Sequence, residues 1–323
     1  MKSRLGLAMA ALLTAQPGHA QTVTRLDAVS APQAVDSTTQ TQDVTFRKDD
    51  GDRMTVPVRV SGTGPFRFVV DTGADRTVVS RQIVQRLRLR SGPVASLHSV
   101  TGVDQVGTAL VDRIDLSTKR MNDVNAAVLE AEHMGADGIL GTDSLKSQRV
   151  QFDFGRNLLS ITPSRMAWRD EPGTIVVKAK RRSGRLIVTE AYANGRPITV
   201  VVDTGSDVSI GNAAMKAMLE HRRMLRQRGT IELMSVTGAK LSGEYTMLRQ
   251  LELGGVTLTD LAVVFADAHT FAQMNLNDRP ALLLGMNAIR AFDKVSIDFA
   301  NKKLRVLLPT SSEKLITSQL AER

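Results

Sequence analysis

Two copies of Asp-Thr-Gly, Asp71-Thr72-Gly73 and Asp203-Thr204-Gly205, are the residues whose type and spacing point to chemistry. Each closes an apolar run: Phe66-Arg67-Phe68-Val69-Val70 precedes the first and Ile198-Thr199-Val200-Val201-Val202 the second. A carboxylate at the end of a buried strand is costly unless it is hydrogen-bonded or keeps its proton. A glycine two residues on permits a tight turn that brings backbone N–H groups toward the carboxylate, and the threonine hydroxyl can anchor that turn. If the two turns meet across a pseudo-twofold axis, the carboxyls become neighbours that share one proton. The ionised member then takes a proton from water while the protonated one donates to a carbonyl oxygen. One copy alone reads equally well as an Asp capping its own turn, and Thr72, Gly73, Thr204 and Gly205 fit either reading. Two copies at the ends of matching strands favour the catalytic one.

The elements that must position these residues occur twice. Met54 to Val60, a turn at Gly62-Thr63-Gly64 and the first apolar run are matched by Leu186 to Tyr192, a turn at Asn194-Gly195 and the second run. Both read as β-hairpins whose second strand delivers an Asp. Ser99-Val100-Thr101-Gly102 recurs as Ser235-Val236-Thr237-Gly238, and Gly138-Ile139-Leu140-Gly141-Thr142-Asp143 as Leu282-Leu283-Leu284-Gly285-Met286-Asn287. Phe152-Asp153-Phe154 is answered by Ile297-Asp298-Phe299. Markers preserved in order imply an internal duplication. Frequent turns between short β-branched runs predict mostly β lobes, each with one short helix after its Asp-Thr-Gly, over residues 80–89 and 212–227. Asp143, Asp153 and Asp298 are expected to make strand-end or turn hydrogen bonds.

On these residues the chain resembles the retropepsin-like aspartic proteases, in particular bacterial exported proteins that carry the domain in tandem. Val69-Val70-Asp71-Thr72-Gly73-Ala74 and Val201-Val202-Asp203-Thr204-Gly205-Ser206 match the family's catalytic signature, and Ile139-Leu140-Gly141 and Leu283-Leu284-Gly285 its second one. The resemblance implies two homologous β-barrel lobes about a pseudo-twofold axis and an endopeptidase whose catalytic pair is Asp71 and Asp203. It further implies that Thr72 and Thr204 reach across to the opposite lobe. It also implies that Val100, Thr101, Gly102, Val236, Thr237 and Gly238 belong to flaps that close over a peptide or protein substrate. The sequence departs from the pepsin pattern in that neither flap carries a tyrosine, and its two repeats differ from each other in loop spacing, the segment from Asp267 to Pro280 being extended.

Composition bounds the rest. The 323 residues are ordinary for globular lobes, with 42% hydrophobic and 23% charged residues, enough for two cores. Lys2 and Arg4, the apolar stretch Leu5 to Leu13 and Gly18-His19-Ala20 read as a signal peptide over 1–20, implying a periplasmic or secreted protein. The Ser/Thr/Gln-rich stretch to Asp43 reads as a flexible lead-in, followed by lobes at 44–164 and 174–309, a linker at 165–173 and a tail at 310–323. No cysteine is present, so disulfides and thiolate zinc sites are excluded. The five histidines show no His-Glu-x-x-His run or close pair, and neither a Gly-x-Ser-x-Gly elbow nor a phosphate-binding loop occurs. No cofactor or metal is expected. Losing the signal, with its two cations and no acid, lowers the formal charge from +9 to +7, a bias that suits weak association with anionic envelope surfaces. Arg86 to Arg90 and Arg222 to Arg228 interleave cations with apolar residues as solvated faces do, and with 4% aromatics no nucleic-acid partner is expected. A monomer with pseudo-dimeric lobes is favoured. The rivals are intermolecular dyads in an obligate dimer and a silent peptide-binding or scaffolding protein of the same fold.

Overall fold

The computed structural model describes residues 42–45, 47–48, 54–116, 119–182, 184–221 and 226–309. The expected signal, nearly all of the lead-in and the tail lie outside them. The first repeat holds β1 (Gln42–Thr45), β2 (Arg47–Lys48), β3 (Met54–Val60), β4 (Thr63–Val70), β5 (Val78–Ser80), α1 (Arg81–Leu87), β6 (Arg90–Ser99), β7 (Gly102–Leu116), β8 (Lys119–Leu129), α2 (Ala131–Met134), β9 (Gly138–Leu140), α3 (Thr142–Leu145), β10 (Gln148–Asp153) and β11 (Leu158–Pro163). The second holds β12 (Thr174–Arg182), β13 (Arg185–Val188), β14 (Ala191–Ala193), β15 (Arg196–Pro197), β16 (Thr199–Val202), β17 (Ser209–Gly211), α4 (Ala213–His221), β18 (Arg226–Met234), β19 (Lys240–Leu253), β20 (Val256–Phe265), α5 (His269–Gln273), β21 (Ala281–Leu284), α6 (Met286–Ile289), β22 (Lys294–Asp298) and β23 (Lys303–Leu307). The protein is mostly β, two retropepsin-like lobes with a few short helices.

Both lobes thread their strands alike. β4 runs parallel to β9, with Val70 opposite Leu140, and β5 lies antiparallel to β9 and parallel to β8. In the second lobe β16 runs parallel to β21, with Val202 opposite Leu284, and β17 lies antiparallel to β21 and parallel to β20. β21 is buried at every position, which is why it reads as an unbroken apolar run (Ala-Leu-Leu-Leu) and not as an alternating one. β3 does alternate along part of its length, with Pro57 and Arg59 exposed between buried valines.

Several local expectations shift in detail. The first hairpin turns at Ser61-Gly62, both at positive φ, so Thr63 and Gly64 already belong to β4. Asn194-Gly195 turns as expected, with φ of 47° and 73°, but the strand before it is split into β13, paired with β16, and β14, paired with β15 and β19. The helices are shorter than the sequence suggests. Ser80 Oγ accepts the Ile83 N–H to start α1, and Arg88 in the left-handed region ends it. α4 is described over Ala213–His221, and by Arg226 the chain is in a strand. Arg86, Arg88 and Arg90 are exposed beside half-buried Leu87 and Leu89, a solvated face as expected.

A six-stranded antiparallel array joins the lobes, in the order β1-β11-β10-β22-β23-β12. Its centre is the pairing of β10 with β22, from Arg149 opposite Asp298 to Asp153 opposite Lys294. An ion pair closes each end: Arg149 Nε donates to Asp298 at 3.1 Å, and Lys294 Nζ lies 3.4 Å from Asp153. The linker lies against this array. Trp168 stacks under the Arg149 guanidinium at 4.5 Å, Arg305 donates to Asp170 and Lys294 to Glu171. The largest apolar core runs without a break through both lobes and this joint, from Phe68 and Ile83 through Val150 and Phe152 to Leu248 and Ile297. Among the described residues no helix is long and apolar enough to cross a membrane.

Candidate active site

Asp71 and Asp203 leave the C-terminal ends of β4 and β16, held there by the strands beside them. The Asp71 N–H donates to Leu140 O and the Asp203 N–H to Leu284 O, both at 3.0 Å. Each following turn folds back on its own carboxylate. Gly73 N and Ala74 N donate to Asp71 Oδ1 at 2.7 and 2.9 Å, and Gly205 N donates to Asp203 Oδ1 at 3.0 Å. These are the charge-assisted bonds to backbone that a strand-end carboxylate requires.

The two turns are locked together by their threonines. Thr72 Oγ1 donates to Val202 O at 3.1 Å and accepts from the Thr204 N–H at 3.1 Å. Reciprocally, Thr204 Oγ1 donates to Val70 O at 2.7 Å and accepts from the Thr72 N–H at 3.0 Å. Both side chains are buried. Each hydroxyl thus uses its donor and an acceptor on the opposite lobe, and serine or threonine supplies both with a short side chain.

This grip brings each carboxyl against the other lobe's glycine. A methyl group on Gly205 would overlap the Asp71 carboxylate, and one on Gly73 would overlap that of Asp203. Gly205→Ala is therefore expected to push the turns apart and lower catalytic efficiency by about 10²-fold or more, since ångström-scale misplacement costs that much. Rates of peptide hydrolysis by variant and parent protein would check it.

Burial, reinforced by the Asp71 charge, raises Asp203 to about 7; the Arg185 guanidinium and the Gly205 and Ser206 amides oppose the shift. Asp203 thus keeps its proton at pH values where an exposed Asp is ionised.

The second signature packs behind the turns. Thr142 N donates to Ala74 O, Asp143 accepts from the N–H and Oγ1 of Thr77, and Met286 N donates to Ser206 O. Ser209 Oγ donates to Asn287 in the place equivalent to Thr77 and Asp143. Asp153 and Asp298 each accept the amide three residues on, from Arg156 and Asn301.

The remaining residues singled out in the sequence lie at two hairpin tips. Val100, Thr101 and Gly102 are at the β6–β7 tip, where Ser99 pairs with Gly102, and Val236, Thr237 and Gly238 at the β18–β19 tip. Each tip reaches into the other lobe. Val100 packs on the second lobe's cluster around Ile187, Ile210 and Phe271, and Val236 on the first lobe's cluster around Val78, Met134 and Ile139.

Two features escape sequence reasoning. Arg185, almost fully buried, donates through Nε to Gly73 O at 2.8 Å and through Nη1 to Gln273, and lies 3.6 Å from Asp75. It sits at the end of the run Lys178 to Arg185, whose composition suggests only a solvated basic face. The histidines also come together: His98 and His269, far apart in the chain, meet at 3.1 Å. Among the described residues no group of three metal-binding side chains is assembled.

The chain matches the family model described as aspartyl protease twice, over residues 56–144 and 189–288. These stretches make up more than half of the sequence, and the chain belongs to the aspartyl protease family, with the domain in tandem. A search of curated proteins gave no match. Both matched stretches end before β10 and β22, so the strands that join the lobes lie outside them.

Proposed function

We propose that this protein is a retropepsin-like aspartic endopeptidase of the bacterial periplasm or exterior, with Asp71 and Asp203 acting as one dyad within a single chain. The observation that carries the proposal is the reciprocal threonine grip, which sets two identical turns back to back with each carboxyl against the other lobe. Asp71, holding two amide N–H bonds, is the ionised member, and Asp203 carries the shared proton.

The reaction balances with these two groups and water. Asp71 takes a proton from water as its oxygen attacks the peptide carbonyl carbon, while Asp203 gives its proton to the carbonyl oxygen. The resulting gem-diol collapses as the C–N bond breaks. The proton gained by Asp71 goes to the leaving amine, and a hydroxyl proton returns to Asp203. Activity therefore requires one proton on the pair and falls as pH rises through about 7, where Asp203 ionises.

The unbroken core and the β10–β22 joint support a monomer with pseudo-dimeric lobes. Its substrates are peptides or proteins, and the net positive charge suits weak contact with anionic envelope surfaces.

The test is cleavage of a mixed peptide library between pH 3 and 8, with the molar mass of the active species measured in parallel. Cleavage by a monomer is the expected result. Peptide binding without cleavage at any pH would replace the reading by that of a silent binding protein, and activity confined to a dimer would replace the intrachain dyad.

A further inference from the structure

The two flap tips are received by histidines at corresponding places in the repeats. His133 lies in α2 after β8, and His269 opens α5 after β20. The interval from Ser99 to His133 equals that from Ser235 to His269. Each histidine meets the flap of the opposite lobe. His269 faces the first flap, where its N–H donates to Val100 O at 2.8 Å and its Nε2 lies 3.1 Å from Nδ1 of His98. The two rings stack, with centroids 5.3 Å apart and planes 19° from parallel. The ring of His133 packs against Gly238 of the second flap, at a distance that leaves no room for a side chain there.

The two contacts differ in how they answer to acid. A ring-to-ring N–H···N bond needs one nitrogen without a proton, so the His98–His269 pair tolerates one added proton and not two. Doubly protonated, it places two cations within hydrogen-bond distance. No counter-charge relieves them: among the described residues neither ring has a carboxylate within ion-pair distance. The charged groups on the surrounding elements are Asp104 on β7, Asp267 before α5, and Arg185, which reaches the far end of α5 at Gln273. On the other side, His133 has Glu132 at 3.6 Å, so protonation there gains a partner. The flap position equivalent to His98 is Met234, which does not titrate.

We infer that His98 and His269 form an acid-sensitive latch that holds the first flap shut over the dyad at neutral pH and releases it when both rings are protonated. The second flap, held by His133, Gly238 and Val236, stays in place. His98 is exposed and His269 half-buried, so protons reach both. The release requires a proton on both rings, because one added proton leaves the N–H···N bond intact. It runs in the same direction as the dyad's need for one proton: acid both arms the carboxyls and frees the entrance. The effect on turnover rests on the peptidase reading above; the latch does not.

Amide hydrogen exchange of the full chain, corrected for the intrinsic effect of pH, tests the latch without using activity. Protection of the tip spanning residues 97–104 is expected to fall about tenfold between pH 7.5 and 4.5, the size of one hydrogen bond's net contribution, while that of 233–240 changes by less than about twofold. In His269→Gln, whose amide accepts from a protonated His98 and never becomes cationic, the fall should vanish, and the pH dependence of KM should flatten while that of kcat persists. A first flap equally protected at both pH values, or an unchanged fall in His269→Gln, overturns the latch. Repeating the exchange in Asp71→Asn separates the two readings. The same fall there, with no peptide cleaved by the parent, would remove the peptidase and keep the latch. Cleavage without the fall would do the reverse.

Discussion

Asp71→Asn and Asp203→Asn are each expected to lower kcat/KM for peptide hydrolysis by about 10³-fold or more, because either change removes half of a single acid–base pair. Equal losses identify one shared dyad, whereas a loss confined to one variant would sink it. The two variants should differ in stability. Asp203 is held near 7 by burial and by the charge of Asp71, whereas in the unfolded chain it titrates near the ordinary value of about 3.9. Between these values the unfolded chain has released a proton that the folded one keeps, so stability falls as pH rises through this window. The full shift corresponds to an effect on the order of 4 kcal/mol. An asparagine carries no such proton. Denaturant unfolding of parent and Asp203→Asn from pH 4 to 8 should show the variant gaining on the parent until about pH 7 and the gap then remaining level. A gap independent of pH would mean that Asp203 is not the proton-bearing member.

The site was legible in the sequence where its parts are local. An apolar run, an Asp and a Gly within three residues specify a strand and a turn, and repetition alone pairs Asp71 with Asp203. The two hairpin tips are legible in the same way, from Ser-Val-Thr-Gly written twice between strands. What could not be read depends on residues brought together from far along the chain. Arg185 resembles its exposed basic neighbours until β13 places it against Gly73 of the other lobe. His98 and His269 form no sequence pattern, because their meeting depends on a hairpin tip crossing to the opposite lobe. The split of the second hairpin into β13 and β14 is likewise a tertiary effect. Its two pieces serve different partners, β16 and β19, and period-two alternation does not name a partner. Phe152-Asp153-Phe154 and Ile297-Asp298-Phe299 were recognised as repeats, but nothing local told that their strands pair with each other.

That pairing leads to the largest expected effect on stability. Burial alone pushes the Asp298 carboxyl upward, but the bonds from the side chain and amide of Asn301, with the charge of Arg149, outweigh it and leave Asp298 below its usual value. Its contribution is therefore complete above the ordinary carboxylate range and is lost only as pH falls through the lowered value. Arg149→Met would leave this buried carboxylate with only the longer pairing to Arg305 at 3.8 Å, and should cost about 3 kcal/mol in urea unfolding at pH 7, the low end of the range for breaking a buried pair. Lys294→Met at the other end of the seam breaks a more exposed set of bonds to Asp153 and Glu171, and should cost about 1 kcal/mol. Equal costs would mean that the seam does not depend on its buried end. The Arg149 variant carries a further consequence. The β10–β22 joint and the threonine grip tie the same two lobes, one across the shared sheet and the other beneath the dyad, so loosening the first lets the Asp-Thr-Gly turns drift. Activity should then decline at urea concentrations below those that unfold either lobe, and more so in Arg149→Met than in Lys294→Met.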